Sequence, residues 1–295
     1  MIALRGVTVR LGGHPVLDDV TFTARPGEVT GLVGPNGAGK STALRSVVGL
    51  DRPECGTVTV DGRRYTDLPC PARVVGAALE QRGWHPRRTV ERHLASVAIG
   101  AAAPRHRVAE LLAEAGLEHV ARRRAGELSL GTASRVGIVA VALADPEVYV
   151  LDEPMNGLDP VSVRWLRGFL RGHADRGRTV LVSSHLIHEL QCVADRIVVL
   201  DGGRVRADAD TATLCADGDD AGVRVRVRPD QLDVLRTVLG RAGGIVASEP
   251  GGAVVVTGLD PGAIGELLVA HALAVHELTP LRVTLEETYL RLVST

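Results

Sequence analysis

The most informative stretch of this 295-residue chain is Gly34-Pro35-Asn36-Gly37-Ala38-Gly39-Lys40-Ser41. It fits the pattern G-x-x-x-x-G-K-[ST] and lies between a predicted buried strand, 28–33, and a predicted helix, 40–49. Glycines let a backbone wrap around phosphates with its N–H groups pointing inward, and a helix start adds partial positive charge. An ordinary glycine-rich turn is the alternative, but the strand, loop and helix order favours a phosphate site.

Lys40 is the single lysine of the chain, since the other 33 of its 34 basic residues are arginine. A lysine ammonium is a compact point charge, whereas an arginine guanidinium is a wide planar fork. A narrow site that needs a point charge would explain this one exception. We therefore expect positions 34–42 to contact a nucleotide, with Lys40 at the terminal phosphates, Ser41 on Mg²⁺, and Thr42 beside them.

Two acidic residues and a histidine follow later apolar strands. Val148–Leu151 is an apolar run that ends in Asp152 and Glu153. His185 follows Ser183 and Ser184 at the end of the next apolar strand. Because α/β sheets bind ligands at the carboxyl ends of their strands, all three side chains are expected at one edge. Asp152 would hold Mg²⁺ or its water, Glu153 would act as general base on the attacking water, and His185 would bond a γ-phosphate.

Composition narrows the class of protein. The net charge of −1 and the aromatic content of 2% argue against a nucleic-acid partner. No stretch approaches the roughly 20 apolar residues of a membrane span, and the N-terminus lacks a signal-peptide core, so a cytoplasmic protein is expected. The cysteines have no zinc or disulfide spacing.

The predicted elements indicate an α/β fold, a P-loop NTPase with a mainly parallel core sheet. The start of the chain alternates apolar and polar residues, which predicts an N-terminal antiparallel β layer. An α-helical subdomain is expected at about 68–145. The predicted domains are a nucleotide-binding domain at 1–208, a linker at 209–222, and a small C-terminal α+β extension with a split β-α-β order at 223–295.

One further motif is specific to a family. Leu128-Ser129-Leu130-Gly131-Thr132 opens a predicted helix upstream of the strand that begins at Val148. It is similar to the LSGGQ signature of ABC transporter nucleotide-binding subunits, which the chain resembles over residues 1–208. Residues 156–159, Asn-Gly-Leu-Asp, lie where that family has its D-loop, and His185 matches its switch histidine. The tail, notably residues 274–280 and 285–287, resembles the extension of bacterial drug and peptide exporters of this family.

The resemblance implies an ATPase that works as a head-to-tail homodimer with Mg²⁺. Each ATP would be sandwiched between the phosphate-binding loop of one chain and the signature of the other, where Ser129 and Gly131 contact the γ-phosphate. Hydrolysis by Glu153 would open the dimer and drive a separately encoded transmembrane permease. The expected function is export of a drug, peptide antibiotic or lipid, with the subunit peripheral on the inner face of the membrane.

The sequence departs from the family pattern in three places. Leu11 stands where an aromatic residue usually stacks on adenine, so weaker adenine discrimination is expected. Glu80 takes the Q-loop position, followed by Gln81, and a carboxylate there could hold Mg²⁺; two solvated polar residues are the alternative. In the signature, Leu130 and Thr132 replace a glycine and a glutamine, which bears on turnover more than on binding.

Two other functions stay open at this point. A soluble ABC ATPase acting on DNA or ribosomes usually carries paired ATPase domains, coiled coils or basic arms, and this chain has one phosphate-binding loop and no heptad run. A nucleotide-gated module with low turnover is suggested by the altered signature and adenine site.

Overall fold

The computed structural model describes residues 1–79, 84–216, 222–249, 251–281 and 285–293. Contacts divide the chain into two compact units, Met1–Thr211 with Leu292–Thr295, and Ala212–Arg291. None of the helices in the described ranges combines the length and the apolar character needed to cross a bilayer.

The first unit is built around a six-stranded sheet, counted over the described residues, in the order β5-β6-β7-β3-β8-β9. Its strands are β3 (Val29–Val33), β5 (Val75–Ala78), β6 (Val148–Leu151), β7 (Thr179–Ser184), β8 (Arg196–Asp201) and β9 (Arg204–Asp210). All neighbours are parallel except β9, which runs antiparallel to β8. Every residue of β3, β6 and β7 is buried, as expected for central parallel strands covered on both faces.

A second sheet covers one face of this core. It is antiparallel and consists of β2 (His14–Ala24), β1 (Ile2–Leu11) and β4 (Cys55–Val60), in that order. Ile2, Leu4 and Phe22 of this sheet form one buried cluster with Leu32 and Leu44. This confirms the predicted antiparallel layer. The phosphate-binding loop lies against both sheets, since the position of Gly39 is close to Val16 of β2 and to Leu200 of β8.

The helices of the first unit lie on the core sheet or form a helical subdomain. They are α1 (Lys40–Val47), α2 (Pro71–Val74), α3 (Val90–Gly100), α4 (His106–Glu114), α5 (Leu130–Ala142), α6 (Pro160–Asp175) and α7 (Ile187–Gln191). Helices α3, α4 and α5 share a buried cluster that includes Leu94, Leu111 and Val136, with Trp165 and Phe169 of α6 packed against it. The fold predicted from the sequence, with its parallel core and helical subdomain, is confirmed.

The second unit contains a four-stranded antiparallel sheet and, within its described residues, four α-helices, two of which lie between its strands. Its sheet order is β11-β12-β10-β13. The elements are α8 (Thr211–Ala216), which begins one residue before the unit, β10 (Val223–Val227), α9 (Leu232–Arg241), β11 (Ile245–Ser248), β12 (Val254–Thr257), α10 (Pro261–Ala270), β13 (Val275–Pro280) and α11 (Leu285–Val293). Its own core includes Val225, Leu235 and Ile264. The β-α-β-β-α-β order confirms the predicted split β-α-β arrangement.

Two segments differ from the sequence expectation. Val75–Ala78, inside the predicted helical range, is strand β5 of the core sheet. Its small residues carry little strand preference, so pairing with β6 decides its conformation. Within the predicted linker, 209–210 complete β9 and 211–216 form α8. Strand β9 extends this far because its backbone pairs with β8 as far as Arg196 opposite Asp210, and Arg196 also forms ion pairs with Asp208 and Asp210.

Candidate functional site: a phosphate-binding loop facing two carboxylates

The phosphate-binding loop follows β3 and leads into α1, as the sequence predicts. A Cβ added to Gly34 would lie 2.1 Å from the Leu200 carbonyl oxygen, and one added to Gly39 would lie 2.7 Å from the Val16 carbonyl oxygen. Gly39 also has a φ of 101°, which non-glycine residues rarely adopt. The loop therefore keeps its path only with glycine at these two positions.

The start of α1 is open to an anion. Gly39 occupies its N-cap position, and no side chain caps the helix. The first N–H groups of a helix lack intrahelical partners and carry partial positive charge. Ser41 is exposed at this start, whereas the neighbouring Thr42 is buried. Asn36 and Gly37 at the loop tip are exposed, and Pro35 is half-buried.

Lys40 is held at the base of the loop. It is 6% exposed, and its Nζ donates to the carbonyl oxygens of Gly34 at 2.8 Å and Pro35 at 3.3 Å. The same Nζ lies 3.5 Å from Glu153 Oε1. The ammonium therefore stands between the loop backbone and a carboxylate from the next part of the site.

Asp152 and Glu153 follow β6, and β7 beside it orients both. Ser183 Oγ donates to Asp152 Oδ1 and accepts from the Glu153 backbone N–H at 2.8 Å. The Asp152 N–H also donates to the Ala78 carbonyl at 2.8 Å, which ties it to β5. The sequence placed Ser183 at the end of this strand but assigned it no role. The feature of the sequence that could have indicated its role is a hydroxyl residue at the carboxyl end of a buried strand.

Glu153 sits in an unusual backbone conformation. Its φ of 47° is in the left-handed region, which costs a non-glycine residue about 1–3 kcal/mol. His185 helps to hold it, because its backbone N–H donates to Glu153 Oε2 at 3.2 Å and its Nδ1 lies 2.8 Å from the same oxygen. Lys40, Glu153 and His185 thus form one contiguous polar chain at the carboxyl edge of β3, β6 and β7.

The signature residues lie elsewhere in the same unit. Ser129 is the N-cap of α5, and its Oγ accepts from the Thr132 N–H at 3.2 Å. Gly131 packs on the Gly157 backbone, where an added Cβ would lie 2.5 Å from its carbonyl oxygen. Among the described residues, no hydrogen bond or ion pair joins Ser129 or Gly131 to the phosphate-binding loop of the same chain. The contact of Gly131 with Gly157 instead places the start of α5 against the segment that follows Glu153.

Of the two remaining predicted contacts, Leu11 lies within the described residues and Glu80 does not. Leu11 ends β1, opposite His14, and is 47% exposed, so the structure does present an aliphatic side chain there. Glu80 and Gln81 lie outside the described residues, directly after β5 and Leu79.

The layered parallel sheet, the glycine loop ahead of α1, and the two carboxylates beside it define a P-loop NTPase. Comparison with known proteins agrees. Residues 17–156 match the family model described as ABC transporter, and residues 223–286 match one described as a domain of unknown function.

Curated relatives cover most or all of the chain. An uncharacterized ABC transporter ATP-binding protein of Bacillus subtilis (strain 168) is 30% identical over 99% of this chain and 95% of its own length. The Nod factor export ATP-binding protein I of Burkholderia orbicola is 36% identical over 70% of each. An Fe(3+) ions import ATP-binding protein of Streptomyces coelicolor is 38% identical over 70% of this chain and 60% of its own length. A bacitracin transport ATP-binding protein of Bacillus licheniformis is 29% identical over 70% and 68%.

Solved structures show the same core. An ATP-binding subunit of an ABC transporter has a TM-score of 0.68 at 29% identity and covers 73% of this chain and 92% of its own. A dimeric, post-hydrolysis ATP-binding cassette bound to ADP and Pi has a TM-score of 0.63 at 27% identity, covering 72% and 99%. The chain belongs to the ABC transporter ATP-binding proteins, and it is an ATPase.

Proposed function

We propose that this chain hydrolyses ATP as a head-to-tail homodimer that drives export through a separate membrane permease. The observation that carries the proposal is the convergence on Glu153 of Lys40, at 3.5 Å, and His185, at 2.8 Å. These groups lie where the loop backbone and the start of α1 favour an anion. The arrangement suits phosphoryl transfer to water, which depends on positioning and charge stabilisation.

The residues present fit a nucleotide and its metal ion. The loop around Gly34 and Gly39 has no room for side chains, so its backbone can approach phosphates closely. Asp152 offers a carboxylate whose Oδ1 is fixed by Ser183, and hydroxyl and carboxylate oxygens are the ligands Mg²⁺ prefers. We assign Mg²⁺ to Ser41 and Asp152, with Glu80 as a third ligand, and it would neutralise charge on the phosphates.

Each residue then has a distinct role in the reaction. Lys40 exchanges the carbonyl oxygens of Gly34 and Pro35 for phosphate oxygens, since a charged acceptor binds an ammonium more strongly. Glu153 takes the proton of the attacking water, and His185 holds Glu153 in place and reaches the γ-phosphate. Leu11 packs against the adenine.

A second copy of the chain completes the site. In the proposed dimer, the N-terminus of α5 with Ser129 and Gly131 faces the γ-phosphate bound by the partner subunit. The relative bound to ADP and Pi is a dimer, which supports a dimeric assembly. The link between Ser134 Oγ of α5 and the Pro154 carbonyl, 3.2 Å long, would connect the signature helix of one subunit to its own Glu153 segment.

A groove beside the Q-loop position suits the permease. It has a volume of about 780 Å³ and is lined mainly by apolar residues of β5, α3 and α5, with Trp84 and His93 on its wall. An aromatic residue at the edge of an apolar groove is a common anchor for a partner. This contact would hold the subunit on the inner face of the membrane. We propose 1–208 as the ATP-binding domain and 223–295 as an accessory domain.

Export is the direction we propose, and the substrate class is a drug, peptide antibiotic or lipid. The exporter-like tail and the Nod factor export and bacitracin transport relatives favour it. The iron import relative favours the opposite direction, but this chain covers a smaller share of that protein's length than of the export and bacitracin transport relatives.

The test is hydrolysis and dimerisation by the purified chain with its membrane partner. Wild type should turn over ATP, whereas Glu153→Gln should lose at least about 100-fold in rate because a general base is missing. The same variant should trap ATP and elute as a dimer in size-exclusion chromatography. Lys40→Ala should lose ATP affinity. Equal turnover by wild type and Glu153→Gln would exclude the assigned base.

A further inference from the structure

A second cavity lies between α4 and α6. It has a volume of about 540 Å³. Its walls include Arg107 of α4, Arg164, Trp165, Phe169 and His173 of α6, and Arg176 just after α6. None of these residues has a role in the phosphate site.

The cavity carries excess positive charge. Arg107 is paired, with its Nη1 3.0 Å from Glu110 and 3.1 Å from Glu114, which also lines the cavity. Arg164 and Arg176 form no ion pair or side-chain hydrogen bond with any residue in the described ranges. Two guanidinium groups at the mouth of one cavity suit a carboxylate or phosphate, which they can bind through paired N–H donors.

One wall is aromatic in a chain with very few aromatic residues. Trp165 and Phe169 lie one helical turn apart with ring centroids 5.6 Å from each other, and Phe169 lies 4.5 Å from His173. Successive rings four residues apart form a continuous stripe along one helix face. Such a stripe suits a planar or apolar body attached to the anion.

The floor contains a buried polar group without a partner. His173 is 7% exposed, and its Nδ1 is buried without a hydrogen-bond partner in the described structure. Burial, together with the positive charge of Arg176, lowers the pKa of His173 to about 4, so the imidazole is neutral. Because this nitrogen is buried, His173 contributes its neutral ring to the cavity lining rather than a hydrogen bond from Nδ1.

Two glycines of α6 line the cavity. Gly168 and Gly172 also line it, within α6, and a Cβ added to either would meet no heavy atom within 4 Å. Glycine inside a helix is less stable than alanine, and no neighbour here excludes a side chain. Packing against neighbours does not explain why α6 has glycine at these two positions. The missing side chains do leave space for a bound molecule.

Residues that line the cavity contact both the strand that leads to Asp152 and the signature helix α5. His173 packs against Tyr149 of β6, with ring centroids 4.3 Å apart and the ring planes tilted, and Tyr149 lies three residues before Asp152. Arg135 of the signature helix α5 lies 5.2 Å from the Trp165 ring centroid and donates to Ser162 Oγ at 3.2 Å. A molecule bound here would contact residues that pack directly against the Asp152 strand and the signature helix.

We propose that the cavity between α4 and α6 binds an organic anion, a carboxylate or phosphate group on a planar aromatic body. Arg164 and Arg176 hold the charged group, Trp165 and Phe169 pack against the body, and the neutral ring of His173 completes the lining. The site is separate from the one that binds ATP.

The test is calorimetric titration of the full-length chain with 2-naphthoate, neutral 2-naphthamide and inorganic phosphate. 2-Naphthoate should bind wild type, with each of the other two probes at least about tenfold weaker because each lacks one half of the recognition. The variant Arg164→Ala/Arg176→Ala and the cavity-filling Gly172→Leu should each weaken naphthoate binding by about tenfold or more.

Two controls separate this site from other binding. Arg122→Ala, which removes an exposed arginine away from the cavity, and Lys40→Ala, which disables the ATP site, should both bind naphthoate like wild type. The proposal is overturned if the double arginine variant binds naphthoate like wild type, if naphthamide or phosphate binds equally well, or if no binding appears up to about 10 mM. Because Arg164 and Arg176 are exposed, their variant tests the site even if Gly172→Leu fails to fold.

Discussion

At the scale of single residues, the site depends on the hydroxyl of Ser183, which forms hydrogen bonds with both Asp152 and Glu153. Ser183 is fully buried, donates to Asp152 and accepts from the Glu153 N–H. Glu153 needs this support, since its positive φ is unfavourable for a non-glycine residue. A buried N–H that loses its acceptor costs about 1–3 kcal/mol.

We therefore expect Ser183→Ala to lower both stability and activity. The free energy of unfolding should fall by about 1–3 kcal/mol, because the Glu153 N–H and Asp152 each lose a partner. ATP hydrolysis should fall by about tenfold or more as the Glu153 carboxylate loses its fixed position. Urea titration and a steady-state ATPase assay measure the two effects.

The neighbouring Ser184→Ala is the matched control for this prediction. Ser184 is equally buried, but its Oγ accepts from the Leu186 N–H at 2.9 Å rather than contacting the carboxylates. It should lose stability by a similar amount and keep more of its activity. Equal loss of activity in both variants would show that the hydroxyl of Ser183 has no special part in placing Glu153.

Residue identities were predictable from sequence where the chemistry is local, and unpredictable where it depends on contacts across strands. Lys40 was found because it is the one lysine in a loop pattern that needs a point charge. The left-handed backbone of Glu153 has no sequence signal, because glutamate rarely adopts it and the contacts from Ser183 and His185 that support it come from a distant part of the chain. The role of each residue in catalysis stays a prediction until variants are measured.

At the scale of elements, α6 is fixed at its start by a charged cap. Asp159 is its N-cap, and its carboxylate accepts from the Ser162 N–H at 2.7 Å. Hydrogen bonds from the Ser162 N–H and then its hydroxyl, with the positive charge of Arg135, lower the pKa of Asp159. This helix bears the aromatic wall of the second cavity, so its start also matters there.

A lowered folded-state pKa gives this cap a defined pH dependence. The ionised carboxylate stabilises the folded state fully above the unfolded pKa, near 3.9, and this contribution is lost as pH falls through the lower folded value. Asp159→Asn keeps an acceptor oxygen but cannot titrate. The stability advantage of wild type over Asp159→Asn should thus be present at about pH 6 and shrink toward about pH 3. Urea titrations of both proteins across that range measure it, and a constant difference would contradict it.

Elements were predictable where hydrophobic pattern and length agree. Strands β3, β6 and β7 are short apolar runs bounded by polar residues, and the structure places all three at the centre of the sheet. Strand β5 escaped prediction because Val75, Gly76 and two alanines fit a helix pattern as well as a strand. Gly76 is needed there by packing, since an added Cβ would lie 2.5 Å from Val141 Cγ1. Long-range packing of this kind is absent from local sequence.

At the scale of the whole molecule, the two units have separate hydrophobic cores. The buried clusters of the first unit, around Leu32 and around Leu94, draw on residues up to Val205. The cluster of the second unit begins at Val223. A core that is complete within one stretch of chain can fold without the other.

We therefore expect the fragment 1–211 to fold alone and bind ATP. It contains the phosphate-binding loop, both carboxylates, His185 and the signature, together with β9, whose pairing to β8 ends at Asp210. A cut at 208 would remove Asp210, which pairs with Arg196, so this shorter fragment should be less stable. Circular dichroism with thermal melting measures folding, and calorimetric titration measures ATP affinity.

The comparison of the two fragments makes the prediction specific. If 1–211 binds ATP within about threefold of the full chain, which is under 1 kcal/mol, the second unit contributes little to the nucleotide site. Fragment 1–208 should melt at a lower temperature because Asp210, an end residue of β9, and its ion pair are gone. An unfolded 1–211 would mean that the ATPase core depends on contacts with residues 212–295, and the second unit would then be part of the catalytic fold rather than an accessory domain.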